Sequence, residues 1–315
     1  MIVYRELSSL ERDLGIPAKT LYGVSNSLPR HYHSVQLPKK SGGYRQLSVP
    51  DEVLKGIQRR ITAALLVHMP VSPYAMAYRF GGSAVKNAGV HVGRPLVLRL
   101  DIYRFFDSVG YYTVKEKAFP AEIYAEPLRV LLALLCCCRD ALPQGAPTSP
   151  AISNILLYDF DERVGRWCRE REITYTRYCD DLTFSGAFDP AEAIQYVGAE
   201  LQKLGFLLNG QKTRIQHQGQ RQSVTGLVVN DKLNLPKAYR RKLRQELHYC
   251  RKFGVESHLE RTGIEMDAAA YLRQLLGKVN YALQASPGDK ALAEGRAWLV
   301  AEMRRSAGRQ MPDTV

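Results

Sequence analysis

ITYTRYCDDLTFSG, residues 173–186, is the stretch whose reading decides the fold. Two runs rich in β-branched and aromatic residues flank Cys179-Asp180-Asp181, which reads as strand, tight turn, strand with the acids at the tip of a hairpin. Strands on both sides would hold the carboxylates rigidly. Two neighbouring carboxylates repel, and a third brought near them would raise their pKa values unless cations offset the charge. A double aspartate taken alone is more often a solvated turn or a helix cap, so the pair gains its meaning from what surrounds it.

Upstream, LVLRLDI at 96–102 is an apolar run that ends in an acid, the pattern of a buried strand delivering Asp101 at its edge. A leucine-rich core helix is expected over 128–138, followed by the loop LPQGAPTSP at 142–150. Ile152, Ile155, Leu156, Phe160, Val164 and Trp167 then mark a second long helix, with Pro150 compatible with its first turn. Nearer the N-terminus, Leu10, Leu14 and Leu21 suggest a short helical cap. VQLPKKSGGYRQLSV at 35–49 reads as two strands around a Ser41-Gly42-Gly43 turn. Leu54, Ile57, Ile61 and Leu65 fall at helical spacing. Downstream, a helix is expected over 191–204 and a strand over 222–229, and everything from about 237 is helical in pattern. Mixed strands and helices with an all-helical tail imply an α+β protein with a separate C-terminal helical domain.

The 315 residues carry 44 Lys and Arg against 31 Asp and Glu, a net charge of +13 that favours a polyanionic partner. An apolar share of 45% can supply two or three packed cores. None of the six cysteines forms a C-x-x-C pair, and the triplet Cys136-Cys137-Cys138 reads as small buried residues at the end of a core helix. The N-terminus MIVYRELSSLERDLG lacks the apolar core of a signal peptide, and no run is long enough to span a bilayer, so a cytoplasmic protein without membrane contact is expected. From 237 on, Tyr239, Leu243, Leu247 and Cys250 share one helical face while Lys237, Arg240, Arg241, Lys242, Arg244, Arg251 and Lys252 crowd the rest, with Glu246 the one acid among them. Such a helix can pack on one side and meet RNA phosphates on the other.

A strand ending in Asp101, a glutamine-glycine loop before a helix, and a Tyr-x-Asp-Asp hairpin stand in the order that a polymerase palm uses. Together they resemble the reverse transcriptases. The resemblance implies a right-hand fold with an N-terminal cap and fingers at 1–95, a palm with an antiparallel sheet at 96–235 and a helical thumb at 236–315. It implies RNA-directed DNA polymerisation, with two magnesium ions held by Asp101, Asp180, Asp181 and the backbone of Ile102. Phe106 then falls where the family places a bulky side chain under the sugar, which would select deoxynucleotides, although an ordinary core aromatic fits the spacing equally. Lys39, Lys40 and Arg45 correspond to the fingers residues that clamp the triphosphate, Arg45 aligning best. Gln144 would contact the incoming dNTP, Gly145 would permit close backbone approach, and Lys212, in LGFLLNGQKTR, would lie near the leaving pyrophosphate. SVTGLVVN falls at the primer grip.

Two further segments narrow the likeness. NAGVH, with Asn87 and His91, resembles the NAxxH signature of the bacterial retron enzymes, and Val224-Thr225-Gly226 resembles their VTG signature. A retron enzyme implies a cognate structured noncoding RNA, priming from the 2'-hydroxyl of an internal guanosine, a branched multicopy single-stranded DNA (msDNA), and an effector protein in anti-phage defence. A reverse transcriptase of a diversity-generating or CRISPR-associated lineage, an RNA polymerase sharing the same palm, and a noncatalytic RNA-binding scaffold are the competing readings.

Overall fold

The computed structural model describes residues 4–38 and 42–309. The chain divides into two compact units, one of residues 1–83 and 96–215, the other of 84–95 and 216–315.

The first unit opens with helices α1 (Leu7–Leu14) and α2 (Ala18–Ser25), which bury the expected Leu10, Leu14 and Leu21. Strands β1 (Tyr32–Pro38) and β2 (Tyr44–Pro50) form an antiparallel ladder pairing Leu37 with Arg45. Helix α3 (Glu52–Ala64) follows, its start fixed by Asp51, whose carboxylate accepts from the Leu54 amide at 2.9 Å. The central strand β3 (Leu96–Asp101) is succeeded by the short α5 (Phe105–Ser108) and by α6 (Tyr111–Ala118) and α7 (Glu126–Cys136). The long helix expected next is two helices, α8 (Ser149–Leu156) and α9 (Tyr158–Arg169), because Leu157 leaves helical geometry at ψ 5°. The apolar periodicity runs unbroken through that joint since both helices pack on one core, so the pattern hides the break.

Strands β4 (Thr174–Tyr178) and β5 (Asp181–Gly186) are the hairpin read from the sequence, and helix α10 (Pro190–Gln202) covers the region after it. The sheet order is β4-β5-β3-β6, with β6 spanning Arg214–His217. Leu98, Leu100, Leu182 and Phe184 belong to a single apolar cluster with α3, α7, α8 and α9, so the strands that carry the acids are anchored in the core.

In the second unit, α4 (Ala84–Gly89) sits with a hairpin of β7 (Ser223–Val224) and β8 (Leu227–Val228) and with helices α11 (Lys237–Phe253), α12 (Val255–Thr262), α13 (Ala268–Ala285) and α14 (Lys290–Arg309). The single strand expected over 222–229 is folded back on itself, because Thr225 and Gly226 both take positive φ, 46° and 83°, and make a two-residue turn. Thr225 donates its hydroxyl to the Ala84 carbonyl at 2.8 Å, and the Gly93 amide donates to Val229 and Asn230. These bonds tie 84–95 and 216–235 together, so 84–95 group with 216–315 and the compact division falls at 83/84, 95/96 and 215/216. No helix among the described residues is long and apolar enough to cross a membrane.

Candidate active site

Register brings the carboxylates together. In the β3–β5 ladder Asp101 lies directly opposite Asp181, and the Ile102 amide donates to the Asp180 carbonyl at 3.1 Å. Tyr178 pairs with Asp181 in the β4–β5 ladder, which leaves Cys179 and Asp180 as a two-residue turn, and Cys179 takes φ 63°. Positive φ at the first turn position is ordinarily a glycine preference, so the tip is held in a conformation that costs about 1–2 kcal/mol at a side-chain-bearing residue.

The electrostatics are those of crowded acids. Burial, then the Asp101 charge, raises the pKa of Asp180, and burial, then the Asp180 charge, pushes Asp181 up to about 6. Asp101 is buried, and both its oxygens are engaged: Lys212 Nζ lies 2.8 Å from Oδ2 and Asn209 Nδ2 donates to Oδ1 at 3.1 Å. Among the described residues no three acidic, histidine or cysteine side chains converge closely enough to hold a metal ion as they stand. The donor set nevertheless fits a hard divalent cation: all its ligands are oxygen, and such an ion would remove the repulsion that raises both hairpin acids.

Behind the turn stands a buried polar network that the sequence reading missed. Arg177, fully buried, sets its guanidinium on Asp161 with contacts of 2.6–3.0 Å, and Asp161 also accepts the Tyr175 hydroxyl at 2.8 Å. The same guanidinium donates to Asn154 Oδ1 and to the Cys179 carbonyl, both at 3.1 Å. Asn154 passes the constraint on by donating to the Ala77 carbonyl at 3.0 Å. The same Asn154 amide also reaches the Tyr78 carbonyl at 3.4 Å. One signal was available: Tyr175, Arg177 and Cys179 share a strand face, so an arginine among buried residues demanded a buried acid.

The remaining expected residues of this unit are dispersed around the triad. Lys39 and Lys40 lie outside the described residues, and Arg45 is exposed on β2. Gln144 lends its carbonyl to the Ser48 amide at 2.9 Å, while Gly145, at φ 119°, would put a Cβ 3.0 Å from the Ser48 carbonyl oxygen. The close approach that needs a glycine is therefore to β2 itself, which fastens the 142–150 loop to the hairpin carrying Arg45. Phe106 is half-buried, packed edge-on against Phe105 with centroids 5.3 Å apart.

Comparison with known proteins adds kinship to this geometry. The family described as reverse transcriptase (RNA-dependent DNA polymerase) matches residues 37–231. The chain belongs to that family. Retron Mx65 reverse transcriptase of Myxococcus xanthus is 38% identical over 283 residues, covering 81% of this chain and 66% of that protein. Retron Mx162 reverse transcriptase of the same organism is 32% identical, covering 85% and 60%, and Retron Ec83 reverse transcriptase of Escherichia coli is 30% identical, covering 67% and 73%. The kinship is to bacterial retron enzymes, and the α+β architecture is the right-hand polymerase class of fold. The chain spans about two thirds or less of the length of the two Myxococcus relatives.

In this member of the family the residues expected at RNA fare unequally. Asn87 and His91 are fully buried, so their side chains build the second unit and offer no surface to a strand. Val224 is buried as well, leaving Thr225 and the exposed Gly226 at the hairpin tip. On α11, Arg241 and Arg244 are exposed, Arg240 is half-buried, and Arg244 is paired to Asp289 at 3.0 Å. Glu246 does not interrupt the basic face: it lies on the buried side with Leu243, Leu247 and Cys250, where Lys278 meets it at 3.0 Å. Arg221, Lys237, Arg241 and Lys242 line a cleft of about 800 Å³ at the start of this helix.

Proposed function

We propose that the chain is a retron RNA-directed DNA polymerase that copies part of its cognate structured noncoding RNA into msDNA, primed from an RNA 2'-hydroxyl. The observation that carries this reading is the register of β3 and β5, which sets Asp101 opposite Asp181 with Asp180 beside it. Two magnesium ions are the cofactors we assign to Asp101, Asp180, Asp181 and the backbone of Ile102; bound there, they supply a lowered pKa for the attacking hydroxyl and charge stabilisation for the departing pyrophosphate.

The chain's own residues do the rest. Arg45, with Lys39 and Lys40, grips the triphosphate, since a guanidinium fork matches phosphate oxygens two at a time. Gln144 and Gly145 border the dNTP, and Phe106 sits under its sugar, where a ribose 2'-hydroxyl meets the ring. Lys212 leaves Asp101 as the site fills and passes its charge to the pyrophosphate. Thr225 and Gly226 support the primer end, and Arg240, Arg241 and Arg244 hold RNA phosphates. Functionally, fingers fall within 1–95, the palm within 96–235 and the thumb from 236, with 84–95 and 216–235 sharing the compact unit of the thumb helices. The setting is cytoplasmic, within an anti-phage system that includes an effector protein.

Primer extension on an RNA template tests the chemistry: Asp180→Asn and Asp181→Asn should abolish dNTP incorporation while leaving RNA affinity intact. Sequencing nucleic acid copurified with the protein tests the retron assignment. A branched RNA–DNA molecule supports it, and a linear cDNA from another template refutes it.

A further inference from the structure

The loop from Ser72 to Gly82 is fixed at atom after atom and yet ends in an uncovered ring. Arg79 turns its guanidinium back onto the carbonyls of Ser72, Pro73 and Ala75 at 3.2–3.4 Å. The Met76 amide donates to the Arg177 carbonyl at 2.7 Å, and Asn154 donates to the carbonyls of Ala77 and Tyr78 at 3.0 and 3.4 Å. At Gly82 there is no room for a side chain, since a Cβ would lie 2.4 Å from the Met76 carbonyl oxygen. Tyr78 accepts φ 58°, a region that side-chain-bearing residues rarely adopt. A loop braced this firmly nevertheless presents Phe80 at 103% relative exposure, with Tyr78 half exposed beside it in sequence.

Single exposed apolar residues are common and need no account. Position sets this one apart. The Tyr78 carbonyl is held by Asn154, whose Oδ1 accepts from the Arg177 guanidinium that also donates to the carbonyl of Cys179, the residue before Asp180, and Phe80 follows Tyr78 within about 7 Å of chain. Tyr103, two residues beyond Asp101 in the chain, is a second exposed ring near the catalytic residues in sequence. A phenylalanine has a π-face and no hydrogen-bonding group, so it holds any base by stacking and prefers none, which is what a strand copied irrespective of sequence requires.

We propose that Phe80 is a stacking platform for an unpaired base of the bound template strand, held beside the catalytic turn through Asn154 and Arg177. The proposal rests on the polymerase reading above and adds a contact that reading does not contain.

The test uses the full chain and an RNA template annealed to a DNA primer, with 2-aminopurine at successive unpaired template positions and no dNTP present. Phe80→Ala should weaken Kd by roughly 5- to 150-fold, the effect of losing one stacked base, and should relieve the quenching seen at one position with wild type. Phe80→Trp should restore both affinity and quenching. The melting temperature should be unchanged in both variants, because the side chain touches nothing it could destabilise by leaving. Wild-type affinity and quenching in Phe80→Ala would overturn the proposal, as would a Phe80→Trp variant as weak as Phe80→Ala. If wild type extends primers while Phe80→Ala binds normally, only the stacking platform falls; if wild type extends none, the polymerase reading falls first.

Discussion

The Arg177–Asp161 pair offers the sharpest separation of stability from catalysis. Both side chains are fully buried, and each has the other as its countercharge. Arg177→Met leaves the Asp161 carboxylate with the Tyr175 hydroxyl for company, and Asp161→Leu leaves the guanidinium with Asn154 and the Cys179 carbonyl. Removing one member of a buried pair costs about 3–5 kcal/mol, a large share of the roughly 5–15 kcal/mol that holds a domain folded. Replacing both by apolar side chains abolishes the orphaned charge, so the double variant should regain most of that loss. Activity should not return with it. The double variant lacks the 3.1 Å bond from Arg177 to the Cys179 carbonyl, and without it the turn at φ 63° relaxes and Asp180 shifts. A displacement near 1 Å at a reacting centre costs about 100-fold in rate. Urea unfolding followed by the fluorescence of Trp167, which stacks on Tyr196 at 4.6 Å, gives the stabilities, and primer extension gives the rates. Single variants within about 1 kcal/mol of wild type would refute the energetics. A double variant with wild-type activity would show that Arg177 merely fills space.

Other outcomes follow from particular atoms. Gly145→Ala should raise the KM for dNTPs and destabilise by about 1–3 kcal/mol, because φ 119° is strained for alanine and its Cβ would press on the Ser48 carbonyl at 3.0 Å; steady-state kinetics and melting curves check it. Phe106→Ala should admit ribonucleotides, read as the ratio of kcat/KM for dNTP and rNTP, whereas equal use of both sugars by wild type removes its assigned role. Burial pushes His91 down to about 3, while the unfolded chain titrates near 6.5. Above that unfolded value both states are neutral and nothing is lost. As pH falls from about 6.5 toward 3, the unfolded chain binds a proton that the folded one refuses, and stability drops by about 1.4 kcal/mol per pH unit. His91→Gln should flatten the slope of unfolding free energy against pH by one proton over that range; an unchanged slope contradicts the burial.

The parts legible in the sequence are those written in contiguous residues. The β4–β5 hairpin and the strand ending in Asp101 declare themselves through short runs rich in apolar, β-branched and aromatic residues bounded by acids. What escaped the reading is held by bonds between distant segments. Asp161 and Asn154 carry no local mark of their joint hold on Arg177 behind Cys179, and Leu157 breaks a helix without glycine or proline to announce it. Glu246 was misplaced for a simpler reason: it sits one position before Leu247 on a face broad enough to bury both. The signature residues Asn87, His91 and Val224, which the family resemblance assigns to RNA, lie buried inside the second unit, where packing fixes them.

The most direct test of the account is a crystal structure with primer, RNA template, a nonreactive dNTP analogue and manganese, read by anomalous scattering. Two peaks should appear among the carboxylates of Asp101, Asp180 and Asp181, with Lys212 Nζ withdrawn from Asp101 toward the terminal phosphates. Ions bound elsewhere, with Lys212 still seated on Asp101, would contradict it.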